Sequence, residues 1–240
     1  MSYLAVVLVV GLLIAIHEFG HLLAAKQSGI PIARFSVGFG PKLFGWKRKE
    51  TAYWLSTIPL GGYVLPAVDE HELREFPVYK RIVFALGGPF ANVVAALAGL
   101  LALGVVELNL GASEALVFAT TQVWSSLQQV AYAVSTLFVD ASQVSGIVGI
   151  VAVGGSQFGS TVAGVLTFSV LINMNLAVLN LLPLPPLDGG RILFCVLEKI
   201  YQPLTRIQTP ATLLGWALVL GLMAYATVQD IGRITAGGLA

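Results

Sequence analysis

The residues with chemistry to offer stand out against an apolar background. His17-Glu18-Phe19-Gly20-His21 is an H-E-x-x-H motif. Histidines four apart lie one turn apart on the same helix face, so both imidazoles can reach one Zn²⁺. Glu18 follows the first of them, placed to take a proton from a water activated at that ion. The segment around the motif is hydrophobic, and ionisable groups at membrane depth are costly enough to mark function by default. The competing reading is a pair of core histidines bonded to backbone, with Glu18 reaching an interface.

A catalytic zinc takes three protein ligands and keeps one position open. Asp188 is the acid best placed to be the third. It sits in Asn180-Leu181-Leu182-Pro183-Leu184-Pro185-Pro186-Leu187-Asp188-Gly189-Gly190. The prolines end or unwind the helix before it, and the glycines after it permit a tight turn and close backbone approach. Alone, Asp188 would read as the N-cap of a helix over 191–200. Beside two histidines it reads as a metal ligand, for one zinc per chain.

The elements that position these groups follow from composition. The chain has 240 residues, of which 57% are hydrophobic and 10% charged. A soluble domain carries about a quarter charged residues, so this one lacks the polar surface to clothe itself in water. An ordinary cytosolic enzyme, a disordered chain and a nucleic-acid binder with a basic face are excluded, and the partner implied is the lipid bilayer. The single cysteine, Cys195, leaves no internal disulfide to form.

Four apolar runs, 3–25, 82–106, 161–182 and 211–229, are long enough to span, since about 20 residues are needed. Residues 1–16 have no basic side chain and histidines follow, so the first run reads as a retained helix rather than a cleaved signal. Nine of the 13 Lys and Arg fall between Lys26 and Arg81, and none between Arg81 and Arg191. Positive residues favour the cytoplasmic side. The N-terminus and C-terminus are therefore expected outside, with His21 and Asp188 near the cytoplasmic ends of two antiparallel helices.

Two stretches leave alternatives. Residues 114–139 are long and apolar but carry Thr120, Thr121, Gln122, Ser125, Ser126, Gln128 and Gln129. An amphipathic helix on or dipping into the outer leaflet is the preferred reading, against a fifth span or half of a re-entrant pair. Gly146, Gly149, Gly154, Gly155 and Gly159 read as a flexible approach to the third span. Residues 31–65 alternate and are rich in glycine, so short strands joined by the turn Lys47-Arg48-Lys49 are expected beside the helices, against a plain loop. The whole chain, 1–240, reads as one domain: an all-α polytopic membrane protein with a four-helix core and a small membrane-associated β-structure between its first two spans.

The sequence resembles the site-2 protease family of intramembrane zinc metalloproteases, most closely the RseP-like regulators of envelope stress. Three blocks carry the resemblance: His17 to His21, continuing through Arg34-Phe35-Ser36-Val37-Gly38-Phe39-Gly40 to Ile58-Pro59-Leu60-Gly61-Gly62-Tyr63-Val64; Gly88-Pro89-Phe90-Ala91-Asn92; and Asn175 to Gly190. The resemblance implies His17, His21 and Asp188 as zinc ligands and Glu18 as catalytic acid/base. It implies a β-structure, including Gly61 and Gly62, that receives substrate. It points to Asn180, the turn with Pro183 and Pro185, and more weakly Asn175 as substrate contacts. Asn92 is either an oxyanion contact or a helix-packing hydrogen-bonding residue. The substrate implied is the transmembrane helix of another, single-pass protein, and the location implied is a bacterial inner membrane.

One departure is large. RseP-like proteins insert PDZ domains between the second and third spans, whereas 107–160 is too short for one beside the interfacial helix, so PDZ-based gating is not carried over. A metal transporter using the same three residues transiently, and a silent scaffold for single-pass partners, are the rival functions. Metal uptake into liposomes discriminates the first. The intact Glu18 argues against the second.

Overall fold

A computed structural model describes residues 2–137, 147–158, 161–200 and 205–235. Eight helices and a small sheet follow in the order α1 (Tyr3–Ser28), β1 (Ile32–Arg48), β2 (Thr51–Pro66), α2 (Glu70–Glu75), α3 (Val78–Val106), α4 (Ala112–Leu137), α5 (Ile147–Gln157), α6 (Val162–Asn180), α7 (Asp188–Ile200) and α8 (Thr205–Thr235). Among the described residues, four helical stretches, in α1, α3, α6 and α8, are long and apolar enough to cross a bilayer. They coincide with the four runs expected from the sequence.

α1 and α3 meet backbone to backbone. A Cβ on Gly20 would lie 2.2 Å from the Gly87 carbonyl oxygen, and one on Gly87 would lie 2.5 Å from that of Gly20. Small residues at such a crossing let two helices gain dispersion contacts that lipid does not offer. The consequence for the site is register: Phe84, Gly88 and Asn92, four apart on one face of α3, lie over His21 and His17 of α1.

β1 and β2 pair antiparallel, but both strands bend sharply. β1 turns at Gly38 and Gly40 (φ 87° and 85°), and β2 turns at Gly61 (φ 120°). The register then places Phe35 opposite Val64 on one flank and opposite Tyr53 on the other, while Trp46 also faces Tyr53. Four limbs result, in the spatial order 42–48, 51–56, 34–37 and 62–65. Phe35, Ile30 and Ile32 join Leu22, Ala25 and Phe84 in a core that fixes the sheet to α1 and α3. The β2 bend reaches further along α1, where a Cβ on Gly11 would be 2.3 Å from the Pro59 carbonyl oxygen. Gly11 is ten residues before His21, about 15 Å along the helix, so the sheet lies beside the apolar length of α1 and is no plain loop.

α4 covers the predicted interfacial helix up to Leu137; residues 138–139 lie outside the described residues. It is not among the four span candidates of the described chain. Ala119, with Phe118, Val123 and Leu127, joins Ala96 and Leu100 of α3 and Val170 and Met174 of α6 in a second core. The helix is therefore docked against two spans.

The glycine-rich approach to the third span needs correction. Residues 147–157 form the helix α5, and its glycines serve contact. A Cβ on Gly154 would come within 2.9 Å of Val6 and Phe168, and the Gly149 amide donates to Asp230 Oδ2 of α8 at 2.8 Å. Gly146 and Gly159 lie outside the described residues. At its other end the bundle is tied by Arg81 of α3, 8% exposed, whose Nη1 lies 2.7 Å from Glu198 Oε2 of α7.

Candidate metal centre

His17 and His21 project from α1 at the level where α3 crosses it, and Asp188 opens α7. Both histidine Nε2 atoms lie 3.2 Å from Asp188 Oδ2 and 3.2 Å from one another. All three residues are buried, at 5–7% exposure. Donors bound to one tetrahedral ion at about 2.0–2.1 Å lie about 3.3 Å apart. Three lone-pair donors converging so closely repel one another unless a cation lies among them. The donor set, two imidazoles and a carboxylate, suits zinc.

Gly88 supplies the room. A Cβ at this position would lie 2.4 Å from His21 Nε2 and 2.6 Å from His17 Nε2, inside the space the donors face. In the sequence Gly88 belongs to the Gly88-Pro89-Phe90-Ala91-Asn92 block and carries no role of its own. Its only advance signal was a four-residue spacing to Asn92.

The histidines are held from behind. His21 Nδ1 donates to the Phe84 carbonyl at 2.8 Å, which leaves Nε2 unprotonated toward the donor cluster. The Gly88 amide, 3.3 Å away, faces the same nitrogen but has no lone pair to meet there. Asn92, fully buried, places its amide 3.2 Å from His17 Nδ1.

Asp188 is fixed by the turn before it. A Cβ on Gly189 would strike the Leu181 and Leu182 carbonyls, and one on Gly190 the Leu184 carbonyl. The proline-bearing turn thus folds onto the first turn of α7, and the Pro185 carbonyl in turn presses on Gly215 of α8. Burial pushes the Asp188 carboxyl up. His17, His21 and Arg191 beside it outweigh that and hold it well below the usual carboxylate range. An ionised carboxylate is the form that binds metal.

Glu18 stands between this cluster and the sheet, where a Cβ on Gly62 would be 3.0 Å from Glu18 Cγ. Gly62 therefore brings the 62–65 limb against the motif. Gly61 is buried under Phe39, whose ring a Cβ there would strike. Asn175 and Asn180 do not join the cluster. Each amide donates to a carbonyl four residues back in α6, that of Leu171 and Leu176, at 2.9 Å. Pro183 and Pro185 shape the turn that carries Asp188.

The protein-family model described as Peptidase family M50 matches residues 5–222. A Nostoc sp. protein with a provisional zinc metalloprotease name is 27% identical over 353 positions, covering 98% of this chain and 97% of that one. A similarly named Campylobacter jejuni protein is 25% identical, over 97% of this chain and 94% of its own. The zinc metalloprotease RasP of Oceanobacillus iheyensis is 44% identical over 74 residues, 31% of this chain and 18% of that protein. An alignment of 353 positions against 240 residues means that the Nostoc protein holds more than a hundred residues with no counterpart here.

Proposed function

The chain belongs to peptidase family M50, the site-2 protease family of zinc metalloproteases, and on that footing we propose that it hydrolyses peptide bonds in or beside the transmembrane helix of a single-pass membrane protein, as a step of regulated intramembrane proteolysis. It is a multi-pass membrane protein. Membership of this family supports a bacterial inner-membrane location, and the charge distribution supports both termini outside with the site toward the cytoplasm.

The observation that carries the proposal is the placing of a His17, His21 and Asp188 donor cluster, with Glu18 next to it, at the foot of an apolar helix and against a sheet edge. His17, His21 and Asp188 would hold the zinc in the space that Gly88 leaves. Zinc, when bound, supplies Lewis acidity for the scissile carbonyl and for the attacking water. Glu18 takes the proton from that water and delivers it to the leaving amine.

A helical substrate hides its peptide bonds and must unwind before attack, which exposes backbone groups that are expensive in lipid. The 62–65 limb has a partner on its 34–37 side, and its other edge can pair with an extended peptide. Gly62 at this limb sets the paired peptide close to Glu18. Asn180 keeps its amide oxygen available for the same peptide, and the Pro183 to Pro185 turn borders the path.

The test is cleavage of transmembrane peptides in detergent by purified, zinc-loaded protein, read by mass spectrometry. Wild type should cut within the apolar segment. Glu18→Gln should keep its zinc and lose cleavage, and undiminished cleavage by that variant would overturn the assignment. Asp188→Asn should lower zinc content; normal occupancy would remove it from the ligand set.

A further inference from the structure

A cavity opens at the foot of α1, beside the β1–β2 turn. It encloses about 690 Å³ and is lined by Lys26 from the last turn of α1, by Ile30 and Ile32 from the connection to β1, and by Arg48, Lys49 and Tyr53 from the β-hairpin. Lys80 comes to the same place, its Nζ 3.9 Å from where a Gly29 Cβ would be. Among the described residues, no ion pair engages Lys26, Arg48 or Lys49. The one acid in the lining is Glu50. Lys26 Nζ donates to the Tyr53 hydroxyl and lies 5.2 Å from that ring's centroid, which pins the ammonium at the cavity wall.

The surroundings are those of a membrane interface. Tyr53 stacks on Trp46 with ring centroids 5.3 Å apart, and Leu43, Phe44, Trp46 and Tyr79 are all more than half exposed nearby in sequence to the cations. Aromatic rings gather at headgroup depth, and clustered cations on that side attract acidic lipid. We propose that this cavity binds the phosphate headgroup of an anionic phospholipid, with Lys26, Arg48 and Lys49 as its ligands. The site is separate from the metal centre, yet Lys26 lies only five residues beyond His21 on the same helix. A bound lipid would therefore anchor the helix that carries the motif. The inference rests on the membrane placement and not on the protease reading.

The full chain, purified in zwitterionic detergent, is titrated with phosphatidylglycerol or phosphatidylcholine and examined by native mass spectrometry for retained lipid. Wild type should retain phosphatidylglycerol and not phosphatidylcholine. Each cation removed should weaken retention about fivefold, and the Lys26→Gln/Arg48→Gln/Lys49→Gln variant on the order of a hundredfold. The control Lys42→Gln/Lys47→Gln removes two cations outside the lining and should retain lipid as wild type does. Zinc content and melting temperature report whether each variant is folded, and Lys26→Gln alone serves if the triple variant is not. Equal retention by wild type and a folded cavity variant would overturn the proposal. So would an equal loss in the control, which would mean diffuse charge, or displacement of the lipid by millimolar inorganic phosphate, which would mean a soluble-phosphate site.

Discussion

Asn92 closes on His17 from behind: its amide lies 3.2 Å from Nδ1, across the ring from the Nε2 that meets His21 and Asp188. For Nε2 to offer a lone pair to zinc, Nδ1 must carry the proton, and the atom facing it must accept. Nitrogen Nδ2 occupies that place, while Oδ1 is buried without a partner. Amide oxygen and nitrogen are told apart by their partners, and exchanging them gives His17 Nδ1–H an acceptor in Oδ1. In that orientation the Asn92 amide is engaged by the His17 ring.

That arrangement predicts opposite results for two substitutions. Asn92→Asp keeps an acceptor on Nδ1–H and should retain zinc. Asn92→Leu removes it and should weaken zinc binding about 10–100-fold. Competition with a chelator measures both. Loss of zinc in Asn92→Asp with retention in Asn92→Leu would show that Nδ2 donates to an unprotonated Nδ1.

Gly88 makes a sharper claim because a single methyl group tests it. Gly88→Ala should place its Cβ within 2.4 Å of His21 Nε2. Metal analysis should find little zinc, while the melting temperature of the metal-free protein changes far less. Full zinc occupancy would mean that α3 can retreat from α1 despite the Gly20–Gly87 contact.

These two residues mark where sequence reasoning stopped. The histidines and Glu18 were legible because the 3.6-residue period alone sets their face, and because charge is scarce in an apolar helix. Asp188 was legible as an acid flanked by helix breakers. Gly88 and Asn92 acquire their roles only from the antiparallel register of α1 and α3, a long-range fact set by close packing at Gly20 and Gly87. Asp230 is silent in the sequence for the same reason. It is fully buried near the end of α8, and the α5 amide it meets belongs to a helix that the glycines of that segment disguised. The bends of β1 and β2 were half legible, since glycines marked them, but no local rule gives a limb flanked on both sides.

Gly62 tests the link between sheet and acid/base. A Cβ there would lie 2.8 Å from the Ser36 carbonyl and 3.0 Å from Glu18 Cγ. Gly62→Val should therefore displace either the 62–65 limb or Glu18. Peptide cleavage should fall at least tenfold with zinc content unchanged. Unaltered cleavage would detach this limb from catalysis.

The Arg81–Glu198 pair tests how Asp188 is kept in reach of the histidines. α7 bears Asp188 at its first residue and Glu198 near its end, and the 2.7 Å pair clamps that far end to α3. Removing one member of this part-buried pair leaves Glu198 without its partner, at a cost on the order of 1 kcal/mol. Arg81→Met should lower the melting temperature accordingly and, by freeing α7, should also weaken zinc binding. The double substitution Arg81→Met/Glu198→Met leaves no stranded charge and should recover most of the stability. Zinc affinity should recover with it if apolar packing holds α7 as well as the ion pair does. Recovery of stability without recovery of affinity would mean that the charge pair sets the angle of α7 rather than merely fastening it.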